Sequence, residues 1–145
     1  MNDTPASRPP VLFWIVAVLS LLWNAVGAFD FLATQIRFEP YMSAFSEEQL
    51  AYFYGIPGWA VVTWGLATWG AFLGSVAMLL RLRWAYHLFV LSLVTMLATS
   101  FQNFVLSDGA EMMGTGGMIF SAVIVLVGIF LVFYSRAMWR RGVLR

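Results

Sequence analysis

The sequence contains no cysteine, no lysine and only one histidine, His87. Without a thiol there is no disulfide, no thiolate nucleophile and no cysteine-ligated zinc or iron–sulfur centre. One imidazole cannot build a multi-histidine metal site. Charge of either sign is scarce: acids and arginines together make up 10% of 145 residues, where soluble chains carry about 25%. The formal net charge of +1 singles out no polyanionic partner, so no nucleic acid is expected. Apolar residues fill the rest, with 61% hydrophobic, 17% aromatic and a mean hydropathy of +0.82. One domain of this length cannot hide so much apolar surface from water, and the lipid bilayer is therefore the expected solvent.

Charge-free stretches mark the spans. Between Arg8 and Asp30 lie 21 uncharged residues, between Glu48 and Arg81 lie 32, and between Arg83 and Asp108, and again between Glu111 and Arg136, lie 24. About 20 apolar residues cross a bilayer as a helix, so four spans are expected near 11–34, 58–80, 84–106 and 116–138. A β-barrel would alternate polar and apolar residues in segments of about ten. Runs such as VLFWIVAVLSLLW are continuous instead, and they predict helices. The expected fold is an all-α, four-transmembrane-helix bundle forming a single domain over 1–145.

Seven of the eight arginines, Arg8, Arg81, Arg83, Arg136, Arg140, Arg141 and Arg145, fall on one side if both termini share it, leaving only Arg37 opposite. Positive residues collect on the cytoplasmic side, which predicts cytoplasmic termini and outer loops holding Glu39, Glu47, Glu48, Asp108 and Glu111. Trp14, Trp59, Trp84, Trp139, Tyr54 and Tyr134 lie near span ends, at headgroup depth. Residues 1–27 imitate a cleaved signal peptide, but the apolar run continues past Ala25 and Gly27, and a retained first span is expected. The long first outer loop contains Ser46-Glu47-Glu48-Gln49, a capping-box start for a short amphipathic helix over about 46–54, with Leu50, Phe53 and Tyr54 on its apolar face. Gly55-Ile56-Pro57-Gly58 breaks it. Arg81-Leu82-Arg83 reads as a tight inner turn, and Ser107 to Gly117 as a glycine-rich outer one.

Each span carries small or polar residues at helical spacing, among them the GxxxG pair Gly70 and Gly74, expected at a close helix crossing. Asn24 and Thr95 are the polar candidates at the midplane. Asp30 stands apart, since an ionisable group within a span is costly and points to function. It lies eight residues, about 12 Å, outward of Leu22, and Gln102 and Asn103 lie at matching depth in the third span. Asp30, Thr34, Gln35, Gln102, Asn103 and Asp108 would form a patch under the outer surface that takes a hydroxyl-rich solute or a cation. Alternatively, Asp30 anchors its helix end by bonding Gln102 or Asn103. Arg81, Arg83 and His87 are candidates for an anionic lipid headgroup at the inner surface, and His87 has an alternative role as an interface residue.

No catalytic arrangement accompanies these residues. There is no nucleophile beside a base, no HExxH and no phosphate loop, because Gly114-Thr115-Gly116-Gly117 lacks the lysine and the preceding strand. Neither enzyme activity nor a cofactor is expected. At Leu22-Trp23-Asn24-x-x-Gly27-x-x-Asp30, at Glu48-Gln49-Leu50-Ala51-Tyr52-Phe53-Tyr54 and at the proline-led second span, the chain resembles a family of small four-span bacterial inner-membrane proteins. Some members of that family carry an automatic "sugar transporter" label. The resemblance implies an inner-membrane location and a four-helix fold. Two functions follow as expectations: an accessory or interaction subunit that meets a second copy or another membrane protein, or a small-solute, sugar-like transporter acting as an oligomer.

The arginine asymmetry generates a topology test. Reporters fused at Ser43 and after Arg145 are expected to give periplasmic and cytoplasmic signals respectively, and a reversed signal at either site overturns the orientation.

Overall fold

In lipid no water is available to the peptide groups, so each apolar run must satisfy its own backbone by coiling. A computed structural model describes residues 7–145, and the expected domain start over residues 1–6 lies outside them. The elements are α1 (Val11–Gln35), α2 (Glu39–Met42), α3 (Glu47–Tyr54), α4 (Gly58–Leu79), α5 (Trp84–Phe101), a wide π turn (Gln102–Leu106) and α6 (Gly109–Arg140). Four of them, α1, α4, α5 with its π turn, and α6, are long and apolar enough to cross a membrane, and no strand occurs among the described residues. The chain is a multi-pass integral membrane protein built as a four-helix bundle.

The span limits agree with the hydropathy reading to within a residue or two, except at α6. The glycine-rich segment from Ser107 to Gly117, expected as a turn, is largely helical. It is interrupted at Gly114, whose φ of 67° and ψ of −175° belong to a region that only glycine enters freely. The helix over 46–54 forms as α3, with its capping box complete: Gln49 N–H donates to Ser46 Oγ and Ser46 N–H donates to Gln49 Oε1. The hydropathy pattern gives no sign of α2, which starts at Glu39 with Pro40 in its first turn.

Three helices end in the same way. Phe38 N–H returns to Ala33 O, Leu82 to Ala77 O and Val143 to Met138 O, at 2.8, 2.8 and 2.9 Å, and the residue before each donor has positive φ. At α6 that residue is Gly142. At α1 and α4 it is Arg37 and Arg81, where a side chain costs about 1–2 kcal/mol. Both arginines have compensating contacts. Arg37 lies over the Tyr54 ring, 4.2 Å from its centroid. Arg81 donates from Nε to Val143 O and from Nη2 to Ser7 O, at 3.0 and 3.1 Å. Arg83 N–H donates to Arg145 O and Arg145 N–H to Arg81 O, both at 2.8 Å, so the C-terminal tail is paired with the α4–α5 turn.

α4 is the centre of the bundle, packing on α1 at one side and α5 at the other, while α6 packs on α5. Apart from Met78 its buried face is small, with Ala60, Ala67, Gly70, Ala71, Gly74, Ser75 and Ala77, which lets helices come close enough for dispersion to hold them. Interhelical hydrogen bonds reinforce these contacts: Asn24 Nδ2 donates to Ser75 Oγ (2.8 Å), Ser92 Oγ to Ala67 O (2.6 Å), and the Thr99 and Thr63 hydroxyls meet at 2.9 Å. At the end of the bundle that carries both tails, Phe13, Met78, Phe89, Leu131, Met138 and Leu144 share one buried core. At the opposite end, the loop end, α1 and α6 have no extensive contact of their own and the bundle splays.

The α4–α5 contact predicts unequal costs at two glycines. A Cβ on Gly74 would lie 2.9 Å from the buried Phe89 ring, whereas one on Gly70 would lie an ordinary 3.5 Å from Ser92 Cβ. In mixed-micelle unfolding, Gly74→Ala should cost about 1–3 kcal/mol and Gly70→Ala little. Equal costs would contradict the packing.

Candidate functional site

The loop end holds a half-open cavity of about 740 Å³. Its walls come from α1 (Trp23, Gly27, Asp30), α4 (Trp64, Thr68, Ala71), α5 and the π turn (Met96, Thr99, Asn103) and α6 (Gly117, Phe120, Ser121). α2 and α3 roof it with Tyr41, Phe45, Gln49, Tyr52 and Phe53. Below it, a pocket of about 20 Å³ beside Asn24, Ser92 and Gly128 leads only to the packed core. Among the described residues, Asp30 is the sole charged side chain on the lining.

The roof follows from local sequence. The Arg37 cap ends α1 and turns the chain straight into α2, which brings Tyr41 back over Asp30. Tyr41 donates its hydroxyl to Asp30 Oδ1 at 2.5 Å, and Thr34 Oγ1 donates to the Asp30 backbone carbonyl. Burial, helped by donation to Asp30 and the charge of that carboxylate, pushes the Tyr41 phenol up to about 12. The rings of Phe29, Tyr41, Phe45, Phe53 and Tyr52 then continue edge to face, with successive centroids 5.4, 5.8, 5.2 and 5.9 Å apart. Tyr52 closes the row by donating to Asn103 Oδ1 at 3.2 Å and meeting Ser107 Oγ at 2.9 Å. Hydrogen bonds thus tie the roof to α1 at one edge and to the π turn at the other.

Of the six residues expected to form one polar patch, Asp30, Thr34 and Asn103 line the cavity. The other three do not, and the expected bond from Asp30 to Gln102 or Asn103 is replaced by the one to Tyr41. Gln102 is buried but lies off the lining, while Asn103 beside it in the π turn faces the cavity. Gln35 at the α1 terminus and Asp108 ahead of α6 are exposed. At the midplane Asn24 forms part of the cavity floor, with its amide held by Ser75. Thr95 is directed to its own helix carbonyls at Leu91 and Ser92 and lies off the lining. Gly70 and Gly74 belong to the α4–α5 contact.

The candidate headgroup residues lie at the tail end of the bundle, with Arg83 and His87 exposed. Arg81 spends its guanidinium on the carbonyls of Val143 and Ser7. His87 sits among the rings of Trp84, Tyr86 and Trp139, with centroids 5.4–5.5 Å away. Sequence reasoning missed the roof aromatics, although a signal was present in six aromatic residues between 38 and 54, more than one short loop needs for anchoring. No family model, curated protein or solved structure matches the chain.

The Tyr41–Asp30 bond predicts both a cost and a pH window. Tyr41→Phe should destabilise the fold by about 1–3 kcal/mol. A phenol raised in the folded state contributes below its ordinary value and loses that contribution as pH climbs to the folded one. The deficit of the variant should therefore hold steady up to pH 10.0 and shrink between there and about 12. A deficit unchanged across that window, in unfolding curves at stepped pH, would contradict the bond.

Proposed function

We propose that this membrane protein is a non-catalytic binding protein of a bacterial inner membrane that holds a small amphiphilic molecule in its roofed cavity. The carrying observation is the cavity itself. Its volume of about 740 Å³ falls within the roughly 300–1,000 Å³ of small-molecule sites, and like them it has mostly apolar and aromatic walls with a few convergent polar groups. With both termini cytoplasmic, as the arginines predict, the roof faces the periplasm.

The cavity is blind toward the tail end, where Phe89, Leu131 and Met138 close the bundle, and Thr95, which would have continued a polar path, is bonded within its own helix. Holding a molecule therefore fits this geometry better than passing one across. A sugar-like solute would need many hydrogen-bond partners, yet Asn24, Tyr41, Tyr52 and Asn103 are already engaged with protein groups. An accessory role fits alongside binding. Only 6% of the most apolar stretch of α6 is buried, against 39% for α4, which leaves α6 a broad face for a second copy or another membrane protein.

Ser121 tests the reading, because it lines the cavity from α6 and its hydroxyl meets only the Met113 sulfur, at 3.8 Å. The purified protein in nanodiscs should bind N-phenyl-1-naphthylamine saturably, with energy transfer from Trp23 and Trp64. Ser121→Phe should fill the cavity and lower that affinity at least about tenfold, with helical content kept. Equal binding by the variant would overturn the assignment.

A further inference from the structure

The cavity lining combines many rings with a single charge. Trp23, Trp64, Phe120 and the roof row supply aromatic faces, Asp30 supplies the charge, and no arginine or histidine lines the space. The nearest basic residue in sequence, Arg37, is held on the Tyr54 ring at the end of the roof. Asp30 is also under-compensated. A carboxylate has about four acceptor positions, and its side chain here takes one hydrogen bond, from the neutral Tyr41 hydroxyl, with none to Oδ2 among the described residues. A charge at membrane depth with one neutral donor carries an unmet electrostatic demand, and cations are attracted both to carboxylates and to ring faces.

We propose that the cavity is a site for lipophilic organic cations, with the cationic centre at Asp30 and the apolar body against Trp23, Trp64 and Phe120; the assignment rests on the ligand-binding reading and names its ligand class. An anion of the same shape would meet Asp30 with no basic group to offset the repulsion. A neutral molecule would leave the carboxylate as it is. The route also suits a lipid-soluble ligand. α1 and α6 have no extensive backbone contact, and the rings of Trp23 and Phe120, which both line the cavity, meet across them with centroids 5.9 Å apart.

The test uses the full-length protein in nanodiscs with three probes that share phenyl rings and differ in charge: tetraphenylphosphonium, tetraphenylborate and neutral triphenylphosphine oxide. Wild-type protein is expected to bind tetraphenylphosphonium saturably and at least about tenfold more tightly than tetraphenylborate. Asp30→Asn should remove about tenfold or more of the phosphonium affinity while changing that for the phosphine oxide less than about threefold, and Asp30→Glu should keep the phosphonium site. Equal binding of the two ions by wild-type protein, or phosphonium affinity unchanged in Asp30→Asn, overturns the cation assignment and leaves a cavity for neutral amphiphiles. If no probe binds wild-type protein, the ligand-binding reading fails with it. The comparison of the two ions needs no variant, so it decides the matter even where Asp30→Asn does not fold.

Discussion

Everything at the loop end depends on how closely α4 approaches its two neighbours. Glycine and alanine along one helix let α1 and α5 come near it on opposite sides, and in lipid such contacts supply the association that hydrophobic burial supplies in water. A helix with two close neighbours leaves the fourth, α6, to pack on α5 alone. α1 and α6 then contribute to one filled core at the tail end, through Phe13, Leu131 and Met138, while Gly27, Gly117 and Ser121 line the cavity at the other. The cavity is what remains when three helices pack tightly and the fourth follows only one of them.

Bilayer physics also explains why the polar chemistry gathers at that end. Within the spans, serine and threonine hydroxyls return to carbonyls of their own helix or reach one neighbour, as at Ser75, Thr95 and Ser92. A carboxylate cannot be satisfied that way. Asp30 lies close enough to the end of α1 for a returning segment to reach it, and the same segment forms the roof of the cavity. One tyrosine hydroxyl thus tethers the roof and partly compensates a charge within the span.

Hydropathy reads depth well and rotation poorly, and this divides what was legible from what was not. The four spans, α3 with its capping box, and the Gly70 and Gly74 spacing all follow from local composition or period, and each takes its expected place along the chain. Asp30, Thr34 and Asn103 line one cavity, which the rise of 1.5 Å per residue along two spans suffices to anticipate. Gln102 and Gln35 share nearly that depth but point elsewhere, and no count of residues along a span fixes which way the π turn rotates them. α2 escapes a hydropathy scan because it is only four residues long, and the Tyr41–Asp30 bond because it depends on a fold-back that two residues eleven apart do not reveal. At Gly114 glycine was read as loop, whereas it serves as one break between two helical stretches.

The contact of Arg37 with Tyr54 joins the second residue after α1 to the last residue of α3. The roof between them is therefore a closed ring, with the entropy of bringing its ends together already spent on that contact. α3 contains no buried residue, and Met42 is the one buried residue of α2, so few apolar contacts oppose its lifting. Local opening of the roof, through the Tyr41 and Tyr52 hydrogen bonds, is therefore expected to cost less than unfolding the four spans. Amide hydrogens over 47–54 then exchange on the schedule of the roof, and those of α5 on the schedule of the bundle.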